Sequence, residues 1–149
     1  MKKKDLSDEN NIEKGIYLDI PRCFISWDIS RKELETILNP HGLKKYTSSC
    51  YEASVVFLKG LECRMVFNFG VFGIKKFSIF TEDVCGSTED FYNENQRHIE
   101  SVFGKSTSTK KSNGTSYAIG FDSHEWIIGK RRIAHYVDDQ YGEVYIKIT

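Results

Sequence analysis

Two histidines and one carboxylate in the last third of the sequence are of the types that transfer protons or bind metal ions. They are His124, His135 and Asp138. A hairpin with its turn at Gly129 would place His124 and His135 opposite each other on neighbouring strands. Because imidazole and carboxylate groups bind divalent metals and exchange protons near neutral pH, these three residues form the candidate ligand or metal site. The alternative is that both histidines lie at the rim of a sheet.

No complete catalytic or cofactor signature accompanies these residues. Gly104-Lys105-Ser106 ends like a phosphate-binding loop, but Ile99 stands where that motif needs a further glycine. His98-Ile99-Glu100 has the His-x-Glu pattern of zinc deaminases without the Pro-Cys-x-x-Cys that completes it. We therefore expect no cofactor and no resident metal, and the sequence names no catalytic residue.

The four cysteines are widely separated and form no Cys-x-x-Cys pair, which argues against a zinc ribbon. The N-terminus lacks the apolar segment of a signal peptide, and no apolar run is long enough to span a membrane. We therefore expect a cytoplasmic protein with free thiols. The four residues are Cys23, Cys50, Cys63 and Cys85.

The charged residues balance, with 21 basic and 21 acidic side chains. A zero net charge argues against nucleic acid and against an anionic membrane as partners, since both require a cationic field. The two signs are nevertheless segregated, with acidic residues concentrated in 82–100 and basic residues in 105–132. Such patches would guide encounter with a protein partner, although a solvated surface explains the same pattern.

Aromatic and arginine side chains cluster in the C-terminal strands. Tyr, Trp and Arg are the residues that most often anchor protein interfaces, so the cluster is the candidate protein-binding surface. Packing within the core or on the sheet is the alternative for the same side chains. The four candidates are Trp126, Arg131, Tyr136 and Tyr141.

Residues 51–80 predict the strands around which the fold is built. Three runs rich in Val, Ile and Phe cover 53–59, 63–69 and 74–80, and glycines separate them. The separations are too short for crossover helices, so the strands should pair antiparallel. A further short strand is expected at 43–47.

Two helices are predicted, each with a recognisable beginning and end. Ser30 and Glu33 have capping-box spacing, and Gly42 suits the left-handed residue beyond the end of the helix. The second helix should begin near Ser87 and end at Gly104. Strands are then expected at 117–121, 125–128, 131–137 and 144–148.

The predicted fold is α+β, with a mostly antiparallel sheet of about seven to nine strands and two helices on one face. Residues 1–14 should form a disordered tail before a single domain over 15–149. Within that domain, 22–80 and 87–149 have the same order of elements. This order is similar to that of several two-repeat α+β folds, including the fold of the β-lactamase inhibitor proteins, and the likeness implies a fold alone.

These patterns favour a non-enzymatic protein-binding module, specifically an immunity-type inhibitor or an adaptor in a bacterial-type cytoplasm. The expected partner is a protein rather than a membrane or a nucleic acid. The alternative is a small-ligand-binding protein or a metal-assisted enzyme, with a pocket between the sheet and the helices.

Overall fold

The computed structural model describes residues 11–80, 87–112, 120–138 and 142–149. Within these ranges the chain forms ten strands and two helices. The helices are α1 (Arg31–Leu38), which continues into a 3-10 turn (Asn39–His41), and α2 (Thr88–Phe103). The strands are β1 (Gly15–Ile20), β2 (Cys23–Ser26), β3 (Lys44–Thr47), β4 (Cys50–Phe57), β5 (Leu61–Gly70), β6 (Gly73–Phe80), β7 (Ser108–Lys110), β8 (Ser123–Ile128), β9 (Arg131–Val137) and β10 (Val144–Ile148).

The strands form one antiparallel sheet in the order β2-β1-β4-β5-β6-β10-β9-β8-β7, and β3 also pairs with β4. The last strand of each half of the chain, β6 and β10, pair with each other at the centre, where Phe80 lies opposite Tyr145. The predicted α+β fold with a large antiparallel sheet is confirmed. The described residues contain more strands than expected, and one of the additional strands is β7, whose exposed residues carry no apolar alternation.

Alternating side chains give the sheet one buried face and one open face. In β5 every second residue from Leu61 to Phe69 is buried, and the residues between them are exposed or half-buried. The period of two follows from the pleat of a strand. We call the buried side the inner face and the opposite side the outer face.

Helix α1 begins and ends as its sequence predicts. The Ser30 hydroxyl accepts a hydrogen bond from the Glu33 N–H at 3.1 Å, and Gly42 takes a left-handed conformation (φ 80°) after the 3-10 turn. Leu34 and Leu38 are buried in the core. The Tyr51 hydroxyl of the inner face also donates to Glu35. These contacts place α1 on the inner face.

Helix α2 packs on the same face. The Ser87 hydroxyl caps its first turn and Gly104 ends it, as predicted. Its buried residues are Tyr92, Asn95 and Ile99, spaced three and four apart on one side of the helix. Since both helices cover the inner face, no helix of the described residues covers the outer face.

The domain includes described residues that precede the predicted boundary at Gly15. Ile12 is buried in the core, and its carbonyl accepts a hydrogen bond from the indole of Trp27 at 2.8 Å. Residues 11–14 are thus part of the domain rather than of a tail, because Ile12 contributes apolar burial that offsets its ordering. The remaining residues of the predicted tail, 1–10, lie outside the described ranges.

Two phenylalanines test the assignment of the inner face. Phe67 is fully buried and Phe72 is 94% exposed. Phe67→Ala should lower the free energy of unfolding by about 3–5 kcal/mol because it leaves a cavity in the core. Phe72→Ala should change that free energy by less than about 0.5 kcal/mol. Urea unfolding followed by tryptophan fluorescence measures both values, and equal losses would contradict the assignment.

Candidate functional site

The predicted histidine pair exists, and it lies on the inner face. His124 is directly opposite His135 in the β8–β9 register, as the hairpin predicts. The ring of His135 is completely buried and stacks on Tyr92 of α2, with centroids 4.6 Å apart. Its Nδ1 lies 2.7 Å from Oε1 of Gln96. Because a carbonyl oxygen only accepts hydrogen bonds, Nδ1 carries the proton and Nε2 carries the free lone pair.

Several polar atoms under α2 are buried without a hydrogen-bond partner among the described residues. They are Nε2 of His135 and both side-chain polar atoms of Asn95. Burial, and secondarily the nearby His124, lowers the pKa of His135 to about 3. The imidazole is therefore neutral at physiological pH, and its burial keeps it away from a substrate in solution.

The other two candidates of this group are engaged locally. Nδ1 of His124 lies 3.2 Å from the hydroxyl oxygens of both Ser106 and Thr109. The backbone of Asp138 hydrogen-bonds residues 142 and 143 in the turn before β10. Within the ranges that the structure describes, no three His, Cys, Asp or Glu side chains form a group that could hold a metal ion.

A row of side chains crosses the four central strands on the outer face. Arg64 of β5 lies opposite Phe80 of β6, Phe80 lies opposite Tyr145 of β10, and Tyr145 lies opposite Tyr136 of β9. The Phe80 and Tyr145 rings meet edge to face at 4.8 Å, and the two tyrosine rings stack at 5.7 Å. We call these four residues the outer row.

Charged groups of both signs surround the outer row. The Arg64 guanidinium lies 5.7 Å from the Phe80 ring centroid and 3.1 Å from a Glu52 carboxylate oxygen. The Lys147 ammonium lies 5.4 Å from the Tyr136 ring centroid. Such cation–π contacts and ion pairs fix the long side chains above the sheet.

The phenol of Tyr145 is held as a neutral hydrogen-bond donor. Its hydroxyl donates to Glu143 at 2.5 Å. Burial and this hydrogen bond raise the pKa of Tyr145 above its ordinary value. At the far end of the outer row, exposed Tyr46 hydrogen-bonds Glu52, and this bond raises the pKa of Tyr46. The surface thus offers aromatic edges with fixed polar groups around them.

The predicted interface residues are distributed over different parts of the molecule. Tyr136 belongs to the outer row, whereas Arg131 lies over the ring of Trp27 at 3.7 Å. Tyr141 lies outside the described residues. Trp126 is buried, and its indole N–H donates to the Gly104 carbonyl at 2.9 Å.

The placement of Trp126 corrects the expectation that it lies on the surface. Trp126 is opposite Ile133 in the β8–β9 register, and both face inward. The neighbouring Ile127 is exposed because successive strand residues point to opposite faces. From the sequence alone, we could not decide which of the two neighbours, Trp126 or Ile127, faces the core.

The remaining members of the outer row were missed by sequence analysis. Arg64, Phe80 and Tyr145 come from three strands and meet only through the β5–β6 and β6–β10 registers. No local pattern reveals the second of these registers, because it joins residues 65 positions apart, as Phe80 and Tyr145 are. The alternation of Tyr145 with buried Val144 and Ile146 was the available signal for an outward ring.

Cavities lie between α2 and the strands, as the ligand-binding alternative expects, but other residues line them. One cavity of about 450 Å³ is bounded by Phe91 and Glu94 of α2 and by Leu61 and Cys63 of β5. Another of about 310 Å³ lies beside Val102 and Phe103 at the end of α2. Neither is lined by His124, His135 or Asp138.

Comparison with known proteins supplies no family for this chain. No family model and no curated protein match it. A solved structure with some similarity is a DUF4309 family protein, YjgB, from Bacillus subtilis, with a TM-score of 0.40 and 8% identity over 76% of this chain and 75% of that chain. A TM-score this low does not show that the two proteins share a fold, so we infer nothing about this chain from the likeness. None of the helices that the structure describes is long and apolar enough to cross a membrane.

The buried His135 predicts a specific loss of stability in mild acid. Between its folded pKa of about 3 and the ordinary value of 6.5, the unfolded chain binds more protons than the folded chain. Stability should therefore fall as pH falls from 7 to 5, by about 2 kcal/mol from this residue. Urea unfolding at both pH values measures the loss.

The matched variants are His135→Gln, which removes the titrating group, and His41→Gln, which changes an exposed histidine. His135→Gln should lose about 2 kcal/mol less than the wild-type chain over this pH range. His41→Gln should show the wild-type loss. Equal pH dependence in all three proteins would show that His135 is not the buried neutral group.

Proposed function

We propose that this chain is a non-enzymatic protein-binding module whose partner docks on the outer face of the sheet. The observation that carries the proposal is the outer row, Arg64, Phe80, Tyr145 and Tyr136, aligned across four neighbouring strands. It lies on the face that the two described helices leave uncovered. Tyr and Arg are enriched among the residues that dominate binding energy at protein interfaces.

The outer row is ordered before any partner binds. The rings of Phe80, Tyr145 and Tyr136 already contact one another, and Lys147 lies over Tyr136. A surface whose side chains are already fixed loses less conformational entropy on binding. This arrangement supports a rigid docking site, and Tyr side chains provide apolar contact with a hydrogen-bonding end.

The charges around the row favour a protein over a nucleic acid. Glu52 pairs with Arg64, Glu143 accepts from Tyr145, and Glu125 pairs with Arg132 on the same face. These pairs balance the charge of the face, which therefore lacks the cationic excess that attracts a polyanion, whereas a protein can match both signs. Tyr136 and Tyr145 also stack on each other, so they do not present two separate platforms for bases.

The more specific form of the proposal is an immunity-type inhibitor or an adaptor that works in the cytoplasm. Exposed acidic residues of α2 are separated from the basic residues that follow the helix, such as Lys105, Lys110 and Lys111. Segregated charge accelerates encounter with an oppositely patterned partner. This function needs only a compact domain with one well-ordered surface.

A second function, small-ligand binding or metal-assisted catalysis, is favoured by one observation. The cavity of about 450 Å³ beside α2 has the size of a small-molecule site and contains a thiol, Cys63, and a carboxylate, Glu94. A ligand there would be bound between the sheet and the helix, which is distinct from the outer face. The two functions therefore respond to different substitutions.

Substitutions in the outer row should weaken capture of the protein partner. The tagged chain is used as bait in a lysate of its source organism, beside Tyr145→Ala and Arg64→Ala. The wild-type chain should retain a partner in a defined ratio, and each variant should weaken that complex at least about thirtyfold, the effect of losing an interface hot spot. Calorimetry with the purified partner gives the affinities.

Phe24→Ala is the control, because Phe24 is an exposed aromatic residue on β2 at the far edge of the sheet. This variant should bind the partner as the wild-type chain does. Retention of the partner by Tyr145→Ala and Arg64→Ala would contradict the proposed surface. Purification with a small molecule instead, lost on Glu94→Ala, would favour the second function.

A further inference from the structure

The hairpin between β5 and β6 ends in two adjacent apolar side chains that protrude into solvent. Val71 is 91% exposed and Phe72 is 94% exposed. Gly70 and Gly73 flank them and pair with each other in the hairpin register. Two neighbouring large apolar side chains with almost no contact to their own protein form a feature that a binding role explains. We call Val71 and Phe72 the apolar tip.

The apolar tip is held by a rigid base. On one side the Phe69 N–H donates to the Ser49 carbonyl at 2.8 Å, and on the other the Ile74 N–H donates to the Trp27 carbonyl at 2.7 Å. Phe69 and Ile74 are themselves buried. The strands are therefore fixed up to the residues next to the turn, and the tip is presented at a constant position.

Three cationic side chains lie near the apolar tip. Arg31 and Lys32, at the start of α1, line the same groove of about 420 Å³ as Val71 and Phe72, and one carboxylate, Asp28, lines it with them. Lys75 lies against Gly70, where its side chain would be 3.4 Å from an added Cβ. Within the described ranges, no carboxylate forms an ion pair with Lys32 or Lys75.

We propose that the apolar tip docks on an anionic lipid membrane, with Val71 and Phe72 inserted among the acyl chains and Arg31, Lys32 and Lys75 at the headgroups. Stable peripheral binding needs two signals, and this end of the molecule supplies an apolar and a cationic one together. The attachment is peripheral, and it leaves the outer face of the sheet accessible to a protein partner.

The shape of the tip favours a lipid surface over an acidic protein. A protein partner would need a cavity complementary to two protruding side chains, whereas the interface of a bilayer adapts to them. The zero net charge of the chain led us to expect no membrane partner. Binding to a surface depends on the charges near that surface, because screening limits their range to about 10 Å at 0.1 M salt.

Sedimentation of the full chain with lipid vesicles tests the proposal. The vesicles are phosphatidylcholine alone, or phosphatidylcholine mixed with phosphatidylserine, on which each cationic contact should raise affinity about fivefold. The wild-type chain should sediment with the anionic vesicles and bind the neutral ones at least about tenfold more weakly. Rising salt should weaken the anionic binding.

Three variants separate the contribution of the inserted apolar side chains from that of the cationic side chains. Val71→Ser/Phe72→Ser should reduce vesicle binding at least about tenfold, since it removes the inserted apolar area. Lys32→Gln/Lys75→Gln should reduce binding to anionic vesicles alone. Ile20→Ser changes another exposed apolar residue, near the opposite end of β4, and should bind as the wild-type chain does. All three should retain the wild-type melting temperature.

Two results would overturn the proposal. One is that the wild-type chain does not sediment with anionic vesicles. The other is that Val71→Ser/Phe72→Ser binds them as well as the wild-type chain. If vesicles are not bound but the tip variant loses crosslinking to an acidic protein, the tip is a protein-docking element and the lipid assignment is wrong.

Discussion

The backbone pairing of β6 with β10 determines which side chains lie on each face at the centre of the sheet. It joins the two halves of the chain into one sheet and places Ile79 beside Ile146 in the core. The same register places Phe80 beside Tyr145 on the opposite face. A shift of one residue would exchange the two faces of one strand, so core and outer row are specified together.

Because both helices cover the inner face, two neighbouring polar residues of β9 lie in chemically different settings. His135 is buried under α2 as a neutral ring, where its pKa of about 3 prevents it from exchanging protons near neutral pH. Tyr136, the next residue in the same strand, faces outward and belongs to the outer row. His135, a candidate ligand or metal residue, is therefore part of the core, whereas its neighbour belongs to the candidate binding surface.

The sequence predicted the elements that depend on local chemistry. The Ser30 cap, the left-handed Gly42 and strands β9 and β10 occur where the pattern places them. It could not predict features that depend on distant pairing, above all the β6–β10 register that creates the outer row. It also treated the turn at Val71 and Phe72 as a break between strands, because exposure of apolar side chains at a turn leaves no periodic pattern.

Hydroxyl-radical footprinting of the complex shows whether the partner covers the outer face of the sheet. The chain is oxidised alone and with its captured partner, and the oxidation of individual aromatic residues is measured by mass spectrometry. Oxidation of Tyr136 and Tyr145 should decrease in the complex, while that of Phe24, at the far edge of the sheet, should not change. Unchanged oxidation of both tyrosines, with protection elsewhere, would show that the partner does not bind the outer face.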